Sequence, residues 1–201
     1  MMRLWNAGDC VSMPWKNGGG TTTELVVWPE GAGLDSFGWR ISSAVVSSSG
    51  PFSRFDGIDR SLAVLQHGVL SLIVDGGEEF SLTGDSEPFC FRGEQKIDAF
   101  CSQGSIADLN VMTRRGVYSH RMLRLAGQAA YALQRNSSVL VLYSQHDGAE
   151  VLVDGVAVAI ASGDILMLEG SDGTGSLELR CDPQHVFYLI HINSQTADDK
   201  K

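Results

Sequence analysis

The sequence predicts an all-β protein, and three observations carry that prediction. Short apolar runs rich in Val, Ile, Leu and Phe recur along the chain, each bounded by Gly, Asp, Ser or Pro. Glycine outnumbers proline 23 to 5, so the punctuation is turn chemistry with access to positive φ. A unit of strand, Asp-Gly turn, strand, polar turn, apolar strand and Gly occurs twice, and regular turn spacing of this kind suggests a barrel or sandwich.

The strands are read from the runs at residues 62–65, 69–74, 89–91, 109–112, 139–143, 151–153, 156–160, 165–168, 177–179 and 186–192. One segment, residues 119–134, offers a helix, although Met122, Leu123 and Leu125 do not settle its period. The repeated unit pairs Leu70-Ser71-Leu72-Ile73-Val74-Asp75-Gly76 with Ala149-Glu150-Val151-Leu152-Val153-Asp154-Gly155. Each Asp-Gly step supplies the positive φ of a tight hairpin. Any two β meanders share some of these features; read as a true repeat, they divide the chain into two related modules. The modules are residues 1–115 and 116–195, with a seam near Arg115-Gly116 and a flexible tail expected over 196–201.

Composition excludes several classes of partner. The 201 residues carry 15 Lys and Arg against 24 Asp and Glu, a formal net charge of −9. That balance lacks the basic footprint of a nucleic-acid or anionic-membrane binder. Apolar runs are far shorter than the ~20 residues of a membrane helix, and Met1-Met2-Arg3-Leu4-Trp5-Asn6 has no signal-peptide apolar region. Cys10, Cys90, Cys101 and Cys181 show no zinc or thioredoxin spacing and are too sparse for a disulfide scaffold. The expected compartment is the reducing cytoplasm.

Chemistry-bearing residues concentrate in the first half. Met13-Pro14-Trp15-Lys16-Asn17-Gly18-Gly19-Gly20-Thr21-Thr22-Thr23 sets a cation and an amide before three glycines. Its lysine precedes the glycines, which does not suit a phosphate loop, and a turn entering the first long strand is the favoured reading. In Phe37-Gly38-Trp39-Arg40-Ile41-Ser42-Ser43-Ala44-Val45, period-2 alternation puts Arg40, Ser42 and Ala44 on one face. In Asp108-Leu109-Asn110-Val111-Met112-Thr113-Arg114 it puts Asp108, Asn110 and Met112 opposite Leu109 and Val111. Solvated strand faces would explain both stripes. If they line a barrel lumen instead, Arg40, Asp108 and Asn110 converge, and the arginine fork suits a carboxylate. Arg60 either joins that mouth or pairs with Asp56 or Asp59 on the surface. His67, His120, His146, His185 and His191 form no metal-binding spacing; His67 is read in a turn and His191 as a satisfied or surface histidine. No nucleophile elbow or Cys–His pair is legible.

Four of these segments, in the same order, resemble the HutD/Ves family: Met13 to Thr22, Phe37 to Ala44, Gly50 to Arg60, and Asp108 to Arg114. The likeness covers roughly residues 3–116 closely and extends more loosely to about 193. It implies a cupin-superfamily, two-cupin (bicupin) fold. It also implies a protein accompanying histidine utilisation, without catalytic residues or cofactor, that binds a small molecule such as urocanate or N-formylglutamate. Carried onto this chain, the ligand-binding positions are Lys16, Asn17, Arg40, Ser42, Arg60, Asp108 and Asn110. The H-x-H…E…H metal set common in cupins is missing from both repeats, so no metal is expected. Expected partners are a small carboxylate and, as an option, a second copy in a homodimer; nucleic acid and membrane are not expected. Two alternatives remain. One is a metal-independent cupin enzyme with Asp108 as general base, which a neighbouring arginine would oppose by lowering the carboxyl pKa. The other is a protein-interaction module.

Overall fold

The structure is a computed structural model that describes residues 1–15, 18–65, 68–102, 104–126, 132–134, 137–170 and 176–195. The chain divides into two compact units, Val11–Ser119 with residues 195–201, and Met1–Cys10 with His120–Ser194. Among the described residues the only helical turn is a single 3-10 turn at Ala7–Asp9; the remaining regular structure is strand. No helix among them is long and apolar enough to cross a membrane.

The first strand, β1 (Met2–Trp5), belongs to the unit that holds the C-terminal half, because it pairs antiparallel with a strand at residues 165–169. The other unit begins at β2 (Val11–Pro14) and continues through β3 (Gly20–Trp28), β4 (Trp39–Val46), β5 (Gly50–Pro51) and β6 (Ile58–Val64). It closes with β7 (Leu70–Val74), β8 (Glu79–Leu82), β9 (Phe89–Arg92), β10 (Ile97–Cys101) and β11 (Ile106–Arg114). These form a six-stranded sheet, β2-β3-β4-β11-β6-β9, and a four-stranded sheet, β5-β10-β7-β8. Leu62, Val64, Phe91 and Ile106 from the first sheet share a core with Leu70, Leu72, Leu82, Ile97 and Ala99 from the second. A buried Leu, Ile or Phe contributes roughly 1.5–3 kcal/mol, so this cluster fixes which face of the large sheet is interior.

The remaining strands are β12 (Tyr118–Ala126), β13 (Ala132–Gln134), β14 (Val139–Ser144), β15 (Ala149–Val153), β16 (Val156–Ile160), β17 (Ile165–Glu169), β18 (Ser176–Arg180) and β19 (Val186–Ser194). They form the sheets β1-β17-β14-β19-β12 and β13-β18-β15-β16. The two units repeat one plan. The order β4-β11-β6-β9 and β5-β10-β7-β8 becomes β12-β19-β14-β17 and β13-β18-β15-β16 when each strand number is raised by eight. The repeated Asp-Gly turns occupy equivalent hairpins. Asp75 and Gly76 have φ of 52° and 71°, Asp154 and Gly155 have 51° and 81°, the left-handed pair of a type I′ turn.

The helix expected over residues 119–134 is not formed where the chain is described. Tyr118–Ala126 is strand β12, and residues 132–134 are strand β13. Leu123 and Leu125, two apart, both pack on the core of their unit, and β12 lies beside β19 in the sheet. Period 2 therefore wins over helical period through pairing that the local sequence does not encode. The ten apolar runs read as strands fall on β6, β7, β9, β11 and β14 to β19. The tail expected at 196–201 lies outside the described residues.

Candidate functional site

Three neighbouring strands build one interior face. Antiparallel pairing sets Met112 of β11 opposite Arg40 of β4 on one side and Arg60 of β6 on the other. Asn110 stands between Ser42 and Leu62, and Asp108 between Ala44 and Val64. Since Leu62, Val64 and Ile106 lie in the core, residues at the same parity point inward. Arg40, Ser42, Arg60, Asp108 and Asn110 thus share the interior face. On β6 the arginine is bracketed by Ile58 and Leu62, and on β11 the two polar residues are bracketed by Ile106 and Met112. Ile58 and Met112 close that end with Phe37.

The polar groups are buried: Arg40 is 6 %, Arg60 7 % and Asp108 3 % exposed. Arg40 donates from Nε to Glu24 Oε2 at 2.8 Å and from Nη1 to Ser42 Oγ at 3.1 Å. Arg60 donates from Nη1 to the Ser53 carbonyl at 3.1 Å. Its guanidinium lies over the rings of Phe91, Phe55 and Phe52, at 4.8, 5.5 and 5.6 Å from their centroids. Arg60 does not pair with the nearby surface acid Asp59, which holds Arg115 at 2.7 Å instead. Three buried atoms on this face make no hydrogen bond: Arg60 Nε, Asp108 Oδ1 and Asn110 Oδ1. Each such group costs about 1–3 kcal/mol when it is left unpaired in the interior.

Burial dominates the electrostatics. It pushes the Asp108 carboxyl up to about 7, against the lowering influence of Arg60 and of the Ala44 backbone. It lowers the Arg60 guanidinium to about 10, with Asp108 opposing that shift and Arg40 adding to it. The expectation that a neighbouring arginine would set the Asp108 pKa below its usual range is corrected here. Arg60 acts in that direction, but desolvation of a fully enclosed carboxylate is larger.

Of the residues the sequence named, Lys16 and Asn17 lie outside the described residues, as does His67. Gly18 and Gly19 belong to the turn joining β2 to β3, and Gly20 opens β3. Gly18 donates to the Trp15 carbonyl, Trp15 donates to the Gly20 carbonyl, and a side chain at Gly20 would meet the Val45 carbonyl at 2.6 Å. His191 is half-buried, with Nδ1 3.3 Å from Ser137 Oγ, and burial lowers its pKa. Sequence reasoning missed Glu24 and the three phenylalanines around Arg60. The phenylalanines stood in quoted or strand-forming segments; the signal for them was their density around one arginine. Among the described residues no group of three His, Cys, Asp or Glu could hold a metal ion.

Two facing antiparallel sheets that enclose a polar cluster in an apolar interior define a cupin-fold protein. The same fold is seen, at 10 % identity and TM-score 0.66, in Bacillus subtilis oxalate decarboxylase OxdC, covering 96 % of this chain and 78 % of that one. The bacterial pirin YhhW of Escherichia coli matches at 11 % and 0.63, covering 98 % of this chain and all of that one. The chain belongs to the HutD family, whose model matches residues 7–189. It is 36 % identical over 195 residues to an uncharacterized 21.2 kDa protein in the hutC 3′ region of Pseudomonas putida, covering 96 % of this chain and 98 % of that protein. HutD of Pseudomonas fluorescens SBW25, solved in a formate condition, matches at 32 % identity and TM-score 0.82, covering 98 % of this chain and all of that one.

Proposed function

We propose that this chain binds a small carboxylate inside the β2–β11 unit and does so without catalysis, as a cytoplasmic protein associated with histidine utilisation. Urocanate and N-formylglutamate are the ligands to test first. One observation carries the reading: Arg60 Nε, Asp108 Oδ1 and Asn110 Oδ1 are buried without partners on the interior face that also holds Arg40 and Ser42. A ligand carboxylate would accept from Arg60, and an N–H on the same molecule would donate to Asn110. Arg40, held in orientation by Glu24, adds positive potential. The four cysteines are free, which suits a reducing compartment.

Calorimetric titration of wild type, Arg40→Ala and Arg60→Ala with both ligands tests the proposal. Arg60→Ala is expected to cost roughly 2–4 kcal/mol of affinity, because it leaves a desolvated carboxylate short of a donor, and Arg40→Ala is expected to weaken binding by removing positive potential. Arg40→Lys should retain part of the affinity, an ammonium lacking the planar fork. If both truncations bind as tightly as wild type, the interior face is not the ligand site. A second reading is favoured by one observation, the elevation of Asp108 to about 7, a value suited to general acid–base work. It requires turnover, so the appearance of a new species when ligand and protein are followed by NMR would replace the binding reading.

A further inference from the structure

We propose that Asp108 couples occupation of the interior site to the uptake of one proton, so that a carboxylate ligand enters the form of the site in which Asp108 is neutral. This inference rests on the carboxylate-binding reading above and adds the linkage.

The argument starts from position. Asp108 sits on the interior face of β11 with Oδ1 unpartnered. The ionisable groups that face it among the described residues come from four other strands. They are Arg40 on β4, Arg60 on β6, Glu24 on β3 bound to Arg40, and the Cys101 thiol on β10, whose pKa Asp108 helps to raise. The thiol is neutral in the relevant range, since its shift is upward. With Asp108 ionised, the two arginines and two carboxylates sum to zero. With Asp108 protonated, the cluster carries one net positive charge, which an entering carboxylate neutralises. An anion entering the ionised form would instead make two carboxylates share Arg60 in a site closed to water. Like charges in such a site do not both stay ionised, and the pKa of one rises.

Arg60 makes the coupling specific. It is the charge that holds Asp108 down, and its Nε is the donor left open for a ligand. A ligand that takes Arg60 therefore removes the support of the Asp108 carboxylate in the same step. The proton comes from solvent, and no bond in the ligand is made or broken. Because the free carboxyl titrates near 7, the exchange falls within a range accessible to the folded protein.

N-formylglutamate is the probe, since both its carboxylates stay ionised throughout this range and its amide does not titrate; the charge balance above concerns the one carboxylate that takes Arg60. Affinity should be level below about pH 7 and fall by up to tenfold per pH unit above it. Titrations at about pH 8 in buffers of different ionisation enthalpy should show close to one proton taken up per ligand, a result that needs no variant. Asp108→Asn should abolish the uptake and flatten the profile, and at about pH 8.5 it should bind at least several-fold more tightly than wild type. Binding with equal affinity across this range and no proton uptake overturns the coupling and leaves the binding reading intact, as does an Asp108→Asn profile that keeps the wild-type slope. Absence of binding at any pH overturns both.

Discussion

Asp108 and Glu24 illustrate what a single residue's neighbours reveal and conceal. The inward parity of Asp108 was legible from its alternation with Leu109 and Val111, but its ionisation was not, because depth of burial is a property of the closed barrel. The consequence has a definite sign. The folded-state pKa of Asp108 is raised above its unfolded value, so its contribution to stability is full below about pH 4 and is lost as pH rises to about 7. Asp108→Asn escapes that loss. Urea denaturation should show the variant gaining on wild type from about pH 4 to about pH 7, by about 1–4 kcal/mol, with a constant gap beyond. Other carboxylates titrate in both proteins and cancel in the difference. Glu24 was hidden for a geometric reason. It pairs with Ser42, but the register shifts before Val26, so β3 changes parity in mid-strand and its sequence alternates in neither phase throughout.

Strands and turns were the most readable level, although none of the apolar runs read as strands falls on β1, β2, β5 or β10, and the misread segment over residues 119–134 is informative. Apolar runs flanked by glycine marked ten strands, since both signals are local. β12 was read as helix because Met122, Leu123 and Leu125 fit either period, and only its place beside β19 decides between them. Arg60 posed the same difficulty: its segment left an inward and a surface placement equally open, and the choice depends on the β6–β11 pairing, which joins residues about fifty positions apart. The hairpins offer a quantitative check on the repeat. Gly76 and Gly155 hold φ of 71° and 81°, so Gly76→Ala and Gly155→Ala should each destabilise by about 1 kcal/mol in urea denaturation. A large difference between them would mean that the two turns do not do equivalent work.

Across the whole molecule, one strand plan has two differently filled interiors. The β12–β19 unit encloses Leu140, Leu142, Leu166, Leu168, Phe187 and Leu189, with the half-buried His191 opposite Leu140, whereas the corresponding strands β4, β6 and β11 carry Arg40, Arg60, Asp108 and Asn110. Leu142→Ala should therefore cost about 2–5 kcal/mol of stability by denaturant unfolding, as in any close-packed core. Methionine in place of Arg60 removes the cation that favours the Asp108 carboxylate, so in denaturant unfolding its cost should be smallest where Asp108 is protonated and grow as pH rises above about 7. The crossing of β1 into the other unit has a consequence for how the protein is made. Met2 to Trp5 pair with Leu168 to Ile165, so β1 must wait for its partner until residues 165–168 have been made. At about 5–20 residues per second, that delay is on the order of ten to thirty seconds. Residues 11–119 bring together all the strands of their two sheets well before then. Pulse-labelled nascent chains should accordingly resist protease first over the β2–β11 segment, with β1 protected only once residues 165–168 have emerged.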